Sequence, residues 1–126
     1  MSTCRPVSGA CGEGTPFAME CRNAGGSLVY TGRLYLDLQA SPVYGSWETF
    51  GPTAMPPLLG GNRGRVLGNP YRPGLWLSLH PGVMDAGMEL HGALNGETYA
   101  GAWGWVTFAG FTTNGNFTAR ILRSPP

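Results

Sequence analysis

The chain has 126 residues, which fits one domain that can bury a core without a disulfide or a metal. Charged residues make up 12% of the sequence and the net charge is +1, which argues against a disordered chain and against a nucleic-acid binder. The 21 glycines and 11 prolines exclude a helical bundle, because both residues destabilise helix interiors. No apolar run reaches the length of a membrane-spanning helix, so we do not expect a membrane as a partner. The low net charge likewise leads us to expect no nucleic acid as a partner.

Three cysteines, Cys4, Cys11 and Cys21, lie close to the N-terminus, in a segment that we predict to be an arm over residues 1–26. No charged start precedes an apolar stretch there, so we expect a cytoplasmic protein with free thiols. One intrachain disulfide, a thiol contact to another subunit and a zinc site completed by a histidine are the alternatives. The spacing lacks the close cysteine pair of structural zinc sites, so we predict no metal and no cofactor.

Apolar and polar residues alternate from Ser27 onward, and this pattern predicts strands throughout a domain of residues 27–126. The apolar stretch from Phe17 to Met19 is a candidate for one further strand. The predicted strands of the domain cover residues 28–39, 43–50, 64–68, 75–80, 88–95, 99–111 and 116–122.

Short connections between these strands predict an antiparallel arrangement in which neighbours in sequence are neighbours in space. Asn95-Gly96 and Asn114-Gly115 are dipeptides typical of tight hairpin turns, which need positive φ angles. About eight such strands with one apolar face predict an all-β, up-and-down barrel, with a two-sheet sandwich as the alternative.

A recurring pattern of small and aromatic residues extends from Leu77 to Ala119. Its elements are Leu77-x-Leu79-His80-Pro81, Asp85, Leu90-x-Gly92, Gly101-x-Trp103, Thr107, Gly110, Gly115, Phe117, Ala119 and Arg120. This pattern resembles uncharacterised bacterial domains with small lipocalin-like β-barrels. The Gly-x-Trp units, one of them at Gly45-Ser46-Trp47, are also similar to those of the calycins. The resemblance implies a barrel that binds a small, largely apolar molecule.

The apolar face of the strands is expected to point into the barrel. It carries Gly32, Gly45, Gly92 and Gly101 in mid-strand, and each marks either a sharp bend of the sheet or space for a ligand. A barrel of eight strands either holds one small molecule or is filled by its own side chains. We predict an interior site for one apolar or amphipathic molecule. The residues predicted to contact it are Tyr30, Leu36, Trp47, Leu77, Leu90, Tyr99, Trp103 and Trp105.

Four titratable residues, His80, Asp85, Glu89 and His91, lie near one another along the chain. Neighbouring antiparallel strands bring them to one region, where a histidine and a carboxylate can move a proton or hold a metal. They are therefore the candidate catalytic residues. The competing interpretation places Glu89 and His91 at the solvent, because they have the opposite parity from the apolar residues beside them, and Asp85 in a turn.

Three functions compete at this point. The first is a barrel that binds a small molecule in its interior. The second is a structural subunit that forms a homo-oligomer through its N-terminal arm, with Trp76 exposed at the surface or at a subunit contact. The third is a cyclase or isomerase that needs no cofactor and uses one acid or base that reaches the interior. We place the binding barrel first.

Overall fold

The computed structural model describes residues 14–55, 61–83 and 86–122, and within them the protein is built from strands alone. The strands are β1 (Thr15–Asn23), β2 (Leu28–Asp37), β3 (Tyr44–Pro52), β4 (Arg63–Gly68), β5 (Leu75–Ser78), β6 (Met88–Asn95), β7 (Thr98–Thr107) and β8 (Gly110–Ile121). Each pairs antiparallel with the next, and β1 pairs with β8, so the sheet closes into an up-and-down barrel. The predicted fold class is confirmed, and the architecture is consistent with a lipocalin-like fold.

The first strand lies within the segment that the sequence assigned to an arm. Phe17 and Met19 are buried at the centre of β1, so the further strand predicted there is confirmed. The barrel therefore begins before residue 27. Cys21 lies on the same strand with its side chain inward, whereas Cys4 and Cys11 lie outside the described residues.

One of the two predicted tight turns is confirmed and the other is wrong. Gly96 has a φ of 65° in the turn between β6 and β7. The second turn falls instead at residues 108–109, where Gly110 supplies the positive φ of 109°. Gly115 lies inside β8 and pairs with Trp103 on one side and Asn23 on the other. Pairing on both edges overrides the local turn preference of Asn114-Gly115.

The mid-strand glycines allow the strands to approach closely. A Cβ at Gly32 would overlap the backbone carbonyl oxygen of Glu48, and one at Gly45 would overlap that of Tyr35. A Cβ at Gly92 or at Gly101 would likewise meet the backbone of the neighbouring strand. The space left by these missing side chains is filled by backbone. These clashes show close approach of neighbouring strands at the glycines, which favours a role in closing the sheet over a role in making space for a ligand.

Alternate side chains of each strand form the core, as the parity predicts. Tyr30, Leu34 and Leu36 of β2 are all at most 3% exposed. They join the inward residues of the other strands in one contiguous cluster. Burial of this apolar area is the main favourable term in folding.

The barrel wall is joined unevenly around its circumference. Most neighbouring strands pair over long stretches, but β4 and β5 share only two register pairs, Leu67 with Ser78 and Gly68 with Leu77. One more backbone bond, from the Asn69 N–H to the Trp76 carbonyl oxygen at 2.8 Å, extends this junction. We call it the β4–β5 seam.

Two features are absent from the residues that the structure describes. Among them there is no apolar helix of the length that a membrane crossing needs. There is also no cluster of three or more His, Cys, Asp or Glu side chains that could hold a metal ion.

Candidate functional site

All eight residues predicted to contact a ligand lie on the inner side of the wall. Seven of them are at most 3% exposed, and Trp105 is half-buried against the same core. They pack on one another, as in the edge-to-face contact of Tyr30 and Trp103, whose ring centroids are 5.6 Å apart. Their contact with a ligand stays a prediction, and their contact with each other is what the structure describes.

The polar atoms of three interior aromatic residues, Trp47, Tyr99 and Trp103, are bound to backbone carbonyl groups. The Trp47 indole N–H donates to the Leu79 carbonyl oxygen at 2.6 Å, and the Trp103 indole N–H donates to that of Arg22 at 2.8 Å. The Tyr99 hydroxyl donates to the Leu75 carbonyl oxygen at 2.5 Å. These donors connect distant strands, so they are engaged before any ligand arrives.

Burial keeps the interior phenols and the thiol protonated. Desolvation raises the pKa of Tyr99. Desolvation, with a smaller contribution from the nearby Cys21, also raises the pKa of Tyr30. Burial raises the pKa of the Cys21 thiol to about 12. Cys21 is a free thiol. Because only the thiolate form is nucleophilic, the protonated Cys21 is unreactive at neutral pH.

His80 is buried where β5 leads into the connection to β6. Its Nδ1 accepts a hydrogen bond from the Met88 backbone N–H at 2.9 Å, and Gly87 lies directly over the ring. The neutral ring therefore carries its proton on Nε2, which has no hydrogen-bond partner among the described residues. Burial lowers the pKa of His80, so the neutral form prevails at pH 7. The bond to Met88 fixes the orientation of the His80 ring in this connection, and its catalytic role stays a prediction.

A groove of about 570 Å³ lies on the outside of the barrel, over β5 and β6. The loop between β4 and β5 forms one bank, including the exposed side chains of Tyr71 and Arg72. Val106 and Phe111, on either side of the β7–β8 turn, form the other bank. We call this space the outer groove. It crosses the β4–β5 seam.

Three aromatic rings stand in a row along the outer groove. The ring centroids of Trp76 and His91 are 3.6 Å apart, with 9° between the planes. Those of His91 and Phe111 are 3.8 Å apart, with 23° between the planes. Phe111 reaches His91 across Gly104, where a Cβ would lie 2.9 Å from its ring. We call this row the aromatic ladder, and the missing side chain at Gly104 permits it.

Glu89 fixes the central ring of the aromatic ladder. The His91 Nε2–H donates to the Glu89 carboxylate Oε1 at 2.7 Å. The two residues lie on the outer face of β6, as their parity predicts, but the His91 side chain is only 11% exposed between its aromatic neighbours. The carboxylate therefore holds the ring in one orientation and one tautomer.

Arg72 lies over the Trp76 ring, and because His91 already stacks on one face, we infer that Arg72 lies over the other. The central carbon of its guanidinium lies 5.2 Å from the Trp76 ring centroid. Arg72 belongs to the loop that forms one bank of the outer groove and is exposed. A guanidinium over an indole face is a cation–π contact. Arg72, Trp76, His91 and Phe111 thus form one continuous stack.

Three of the four candidate catalytic residues lie among the described residues, and they form no single cluster there. Glu89 and His91 are in contact on the outer wall, whereas His80 binds the backbone at the end of the barrel. Asp85 lies outside the described residues. His80 and the Glu89–His91 pair all line the outer groove, so Glu89 and His91 form an outer pair that does not reach the interior.

Comparison with known proteins gave no family model, no curated protein and no solved structure that matches this chain. Its site is therefore interpreted from its own geometry.

Sequence reasoning missed Arg72 and Phe111, which complete the stack. Arg72 lies in an irregular loop, where no periodicity indicates which way a side chain points. The sequence pattern predicts Phe111 at the end of a longer strand, because Asn114-Gly115 is the typical turn dipeptide in this region. The useful signal was Gly110, which supplies the positive φ of the true turn and so places Phe111 at the start of β8.

Proposed function

We propose that this protein is a small-molecule binding module whose site is the outer groove. The observation that carries the proposal is the aromatic ladder, half-buried along a groove of about 570 Å³. Sites for small molecules generally have volumes of about 300–1,000 Å³ and combine aromatic walls with a few polar groups. The outer groove fits this description.

An amphipathic molecule suits the outer groove better than a wholly apolar one. Its walls include the apolar side chains of Val83 and Val106 and the polar groups of Ser78, Glu89 and Arg72. A ligand with an apolar ring or chain and one polar end can satisfy both kinds of surface. The interior Trp and Tyr donors are bound to backbone carbonyl groups. The Arg72 side chain at the groove is instead exposed to solvent.

The resemblance of the segment from Leu77 to Ala119 to bacterial lipocalin-like domains also supports a binding role. Barrels of that kind are expected to hold a ligand inside. Here the inner face is occupied by close-packed side chains and by the backbone next to Gly45 and Gly92. We therefore assign the ligand to the outside of the wall.

The indole N–H groups of the protein provide a direct test. Nuclear magnetic resonance titration with 2-naphthoate, 2-naphthylmethylammonium and decanoate follows the Trp76, Trp47 and Trp103 indole signals separately. We expect at least one probe to move the Trp76 signal while the Trp47 and Trp103 signals, bound to carbonyl groups, stay in place. Movement of only Trp47 and Trp103 would favour the interior site, and no movement at all would overturn the binding proposal.

A matched pair of variants localises the effect. Trp76→Ala removes the aromatic wall of the outer groove, and we expect it to abolish probe binding. Phe50→Ala removes another aromatic side chain that is 61% exposed on β3, away from the groove. We expect Phe50→Ala to bind as the wild type does. Equal loss in both variants would show that binding is not specific to the groove.

A further inference from the structure

The position of Arg72 over Trp76 indicates which ligand the outer groove takes. Trp76 is covered on one face by His91, at a centroid distance of 3.6 Å. On its other face the Arg72 guanidinium carbon is 5.2 Å away. The first spacing is a close stack of rigid rings on neighbouring strands. The second is a looser contact with a long, exposed side chain.

We propose that a planar aromatic anion binds between Trp76 and Arg72 and so extends the aromatic ladder by one ring. This inference rests on the proposed binding function and names its ligand class. An aromatic carboxylate is the simplest member of that class.

The spacing makes this insertion feasible. A ring stacked between two planar groups needs about 3.5 Å on each side, or about 7 Å in all. Arg72 must then retreat by about 2 Å from its position over Trp76. Because Arg72 is exposed on the β4–β5 loop, rotation of its side chain is enough. No strand of the barrel has to move.

The charges around the stack favour an anion. Arg72 is the cation at the open end of the stack, and its planar fork both stacks on rings and binds carboxylates with two hydrogen bonds. The nearest carboxylate of the ladder, Glu89, is already engaged by His91. A cationic ligand would meet the Arg72 charge, whereas an anionic ring gains from it.

A second pair of the same kind serves as the internal control. The Arg33 guanidinium carbon lies 5.9 Å from the Phe50 ring centroid on the outer face of β2 and β3. Both side chains are exposed, and neither lines the outer groove. Both pairs therefore have a cation–π contact, but only the Arg72–Trp76 pair adjoins the rest of the aromatic ladder and lines the outer groove.

The test compares the three probes with wild-type protein and with Arg72→Gln, Arg72→Lys and Arg33→Gln. We expect 2-naphthoate to bind at least about tenfold more tightly than 2-naphthylmethylammonium and decanoate, with its ring protons shifted upfield by the stack. Arg72→Gln should weaken naphthoate binding about tenfold, and Arg72→Lys, which keeps the charge without the planar fork, about threefold. Arg33→Gln should change nothing.

The outcomes distinguish this inference from the proposed function. If decanoate or the ammonium probe moves the Trp76 signal as strongly as naphthoate, the groove binds ligands but the aromatic-anion class is wrong. Unchanged naphthoate affinity in Arg72→Gln would overturn the role of Arg72 in the same way. If no probe moves the Trp76 signal in the wild type, the binding function itself fails.

Discussion

Trp103 and Trp76 carry the same side chain on opposite sides of the barrel wall. Trp103 is 2% exposed, and its indole N–H is bound to the carbonyl oxygen of Arg22, which is 81 residues away along the chain. Trp76 is half-buried, stacks on His91 at a centroid distance of 3.6 Å and has the Arg72 guanidinium carbon 5.2 Å from its own centroid. The inner tryptophan ties strands together, while the outer one belongs to a stack that remains open at one end.

This difference shows that the two faces of one sheet are under different physical constraints. Inside, an unpaired polar group costs free energy, and the Trp47, Tyr99 and Trp103 donors are all bound to carbonyl groups. Outside, water can satisfy such groups, so the outer rings are not required to pair their polar atoms with the protein. The parity of a residue therefore bears on its role as well as on its burial.

Truncation of the two tryptophans should separate these roles most strongly. We expect Trp103→Ala to lower the free energy of unfolding by about 3–5 kcal/mol, because it leaves a cavity and an unpaired carbonyl group. Trp76→Ala should cost about 1–2 kcal/mol, since its side chain is only partly removed from water. Urea unfolding followed by far-ultraviolet circular dichroism measures both. Equal costs would contradict the division between the two faces.

Alanine in place of a close-packed glycine should give the next largest effect. A Cβ at Gly45 would overlap the carbonyl oxygen of Tyr35, so we expect Gly45→Ala to cost about 2–3 kcal/mol through a forced backbone shift. Gly82 has no atom within 4 Å of an added Cβ, and Gly82→Ala should change stability by less than about 0.5 kcal/mol. Thermal unfolding of both variants tests this contrast. If Gly45→Ala left the stability unchanged, the strands would have space at this position for a further methyl group.

The buried histidine should make stability depend on pH. Burial lowers the pKa of His80 below its ordinary value of 6.5, so the unfolded chain takes up the proton first as the pH falls. Its contribution is complete above about pH 6.5, and is then lost by up to about 1.4 kcal/mol per pH unit until the lower folded pKa is passed. Unfolding free energies between pH 5 and 7.5 measure the slope.

His80→Asn is the matched variant for this measurement. The asparagine Oδ1 can accept the Met88 N–H in place of Nδ1, and the amide does not titrate. We expect the slope between pH 5 and 6.5 to be reduced in this variant. An unchanged slope would assign the pH dependence to other groups.

The smallest expected effect concerns Glu89. Replacing it in Glu89→Gln keeps the size and a hydrogen-bond acceptor but removes the charge that faces His91. The unfolding free energy should fall by no more than about 0.5 kcal/mol, as is usual for partly exposed pairs. The ring of His91 should nevertheless lose its fixed tautomer, which nitrogen-15 chemical shifts of the imidazole report. A large loss of stability would show that the pair is structural.

The sequence predicted the barrel because strand parity is a local signal that the core imposes on each strand. Tyr30, Leu34 and Leu36 alternate with polar residues, and all three are buried as expected. The turn at Asn114-Gly115 could not be predicted correctly, because pairing of Gly115 with two neighbouring strands is a tertiary effect. Local turn preference is weaker than a double set of strand contacts.

The outer groove was beyond sequence reasoning for a different reason. Outward parity predicts that Trp76 and His91 lie on the outer face, but it could not show that they stack, that Phe111 joins them across Gly104, or that His91 is thereby only 11% exposed. That arrangement depends on register, which one residue of slip would change. Arg72 comes from a loop without periodicity, so no pattern links it to Trp76.

The β4–β5 seam has a consequence for the motions of the barrel. With two register pairs and one further backbone bond, it is the shortest junction in the wall. The amide proton of Asn69, which bonds across this junction, should therefore exchange with solvent earlier than those of the long hairpin of β7 and β8. The loop that carries Arg72 begins at this junction. A molecule held between Arg72 and Trp76 would therefore reduce the local opening of the part of the wall that we expect to open most often.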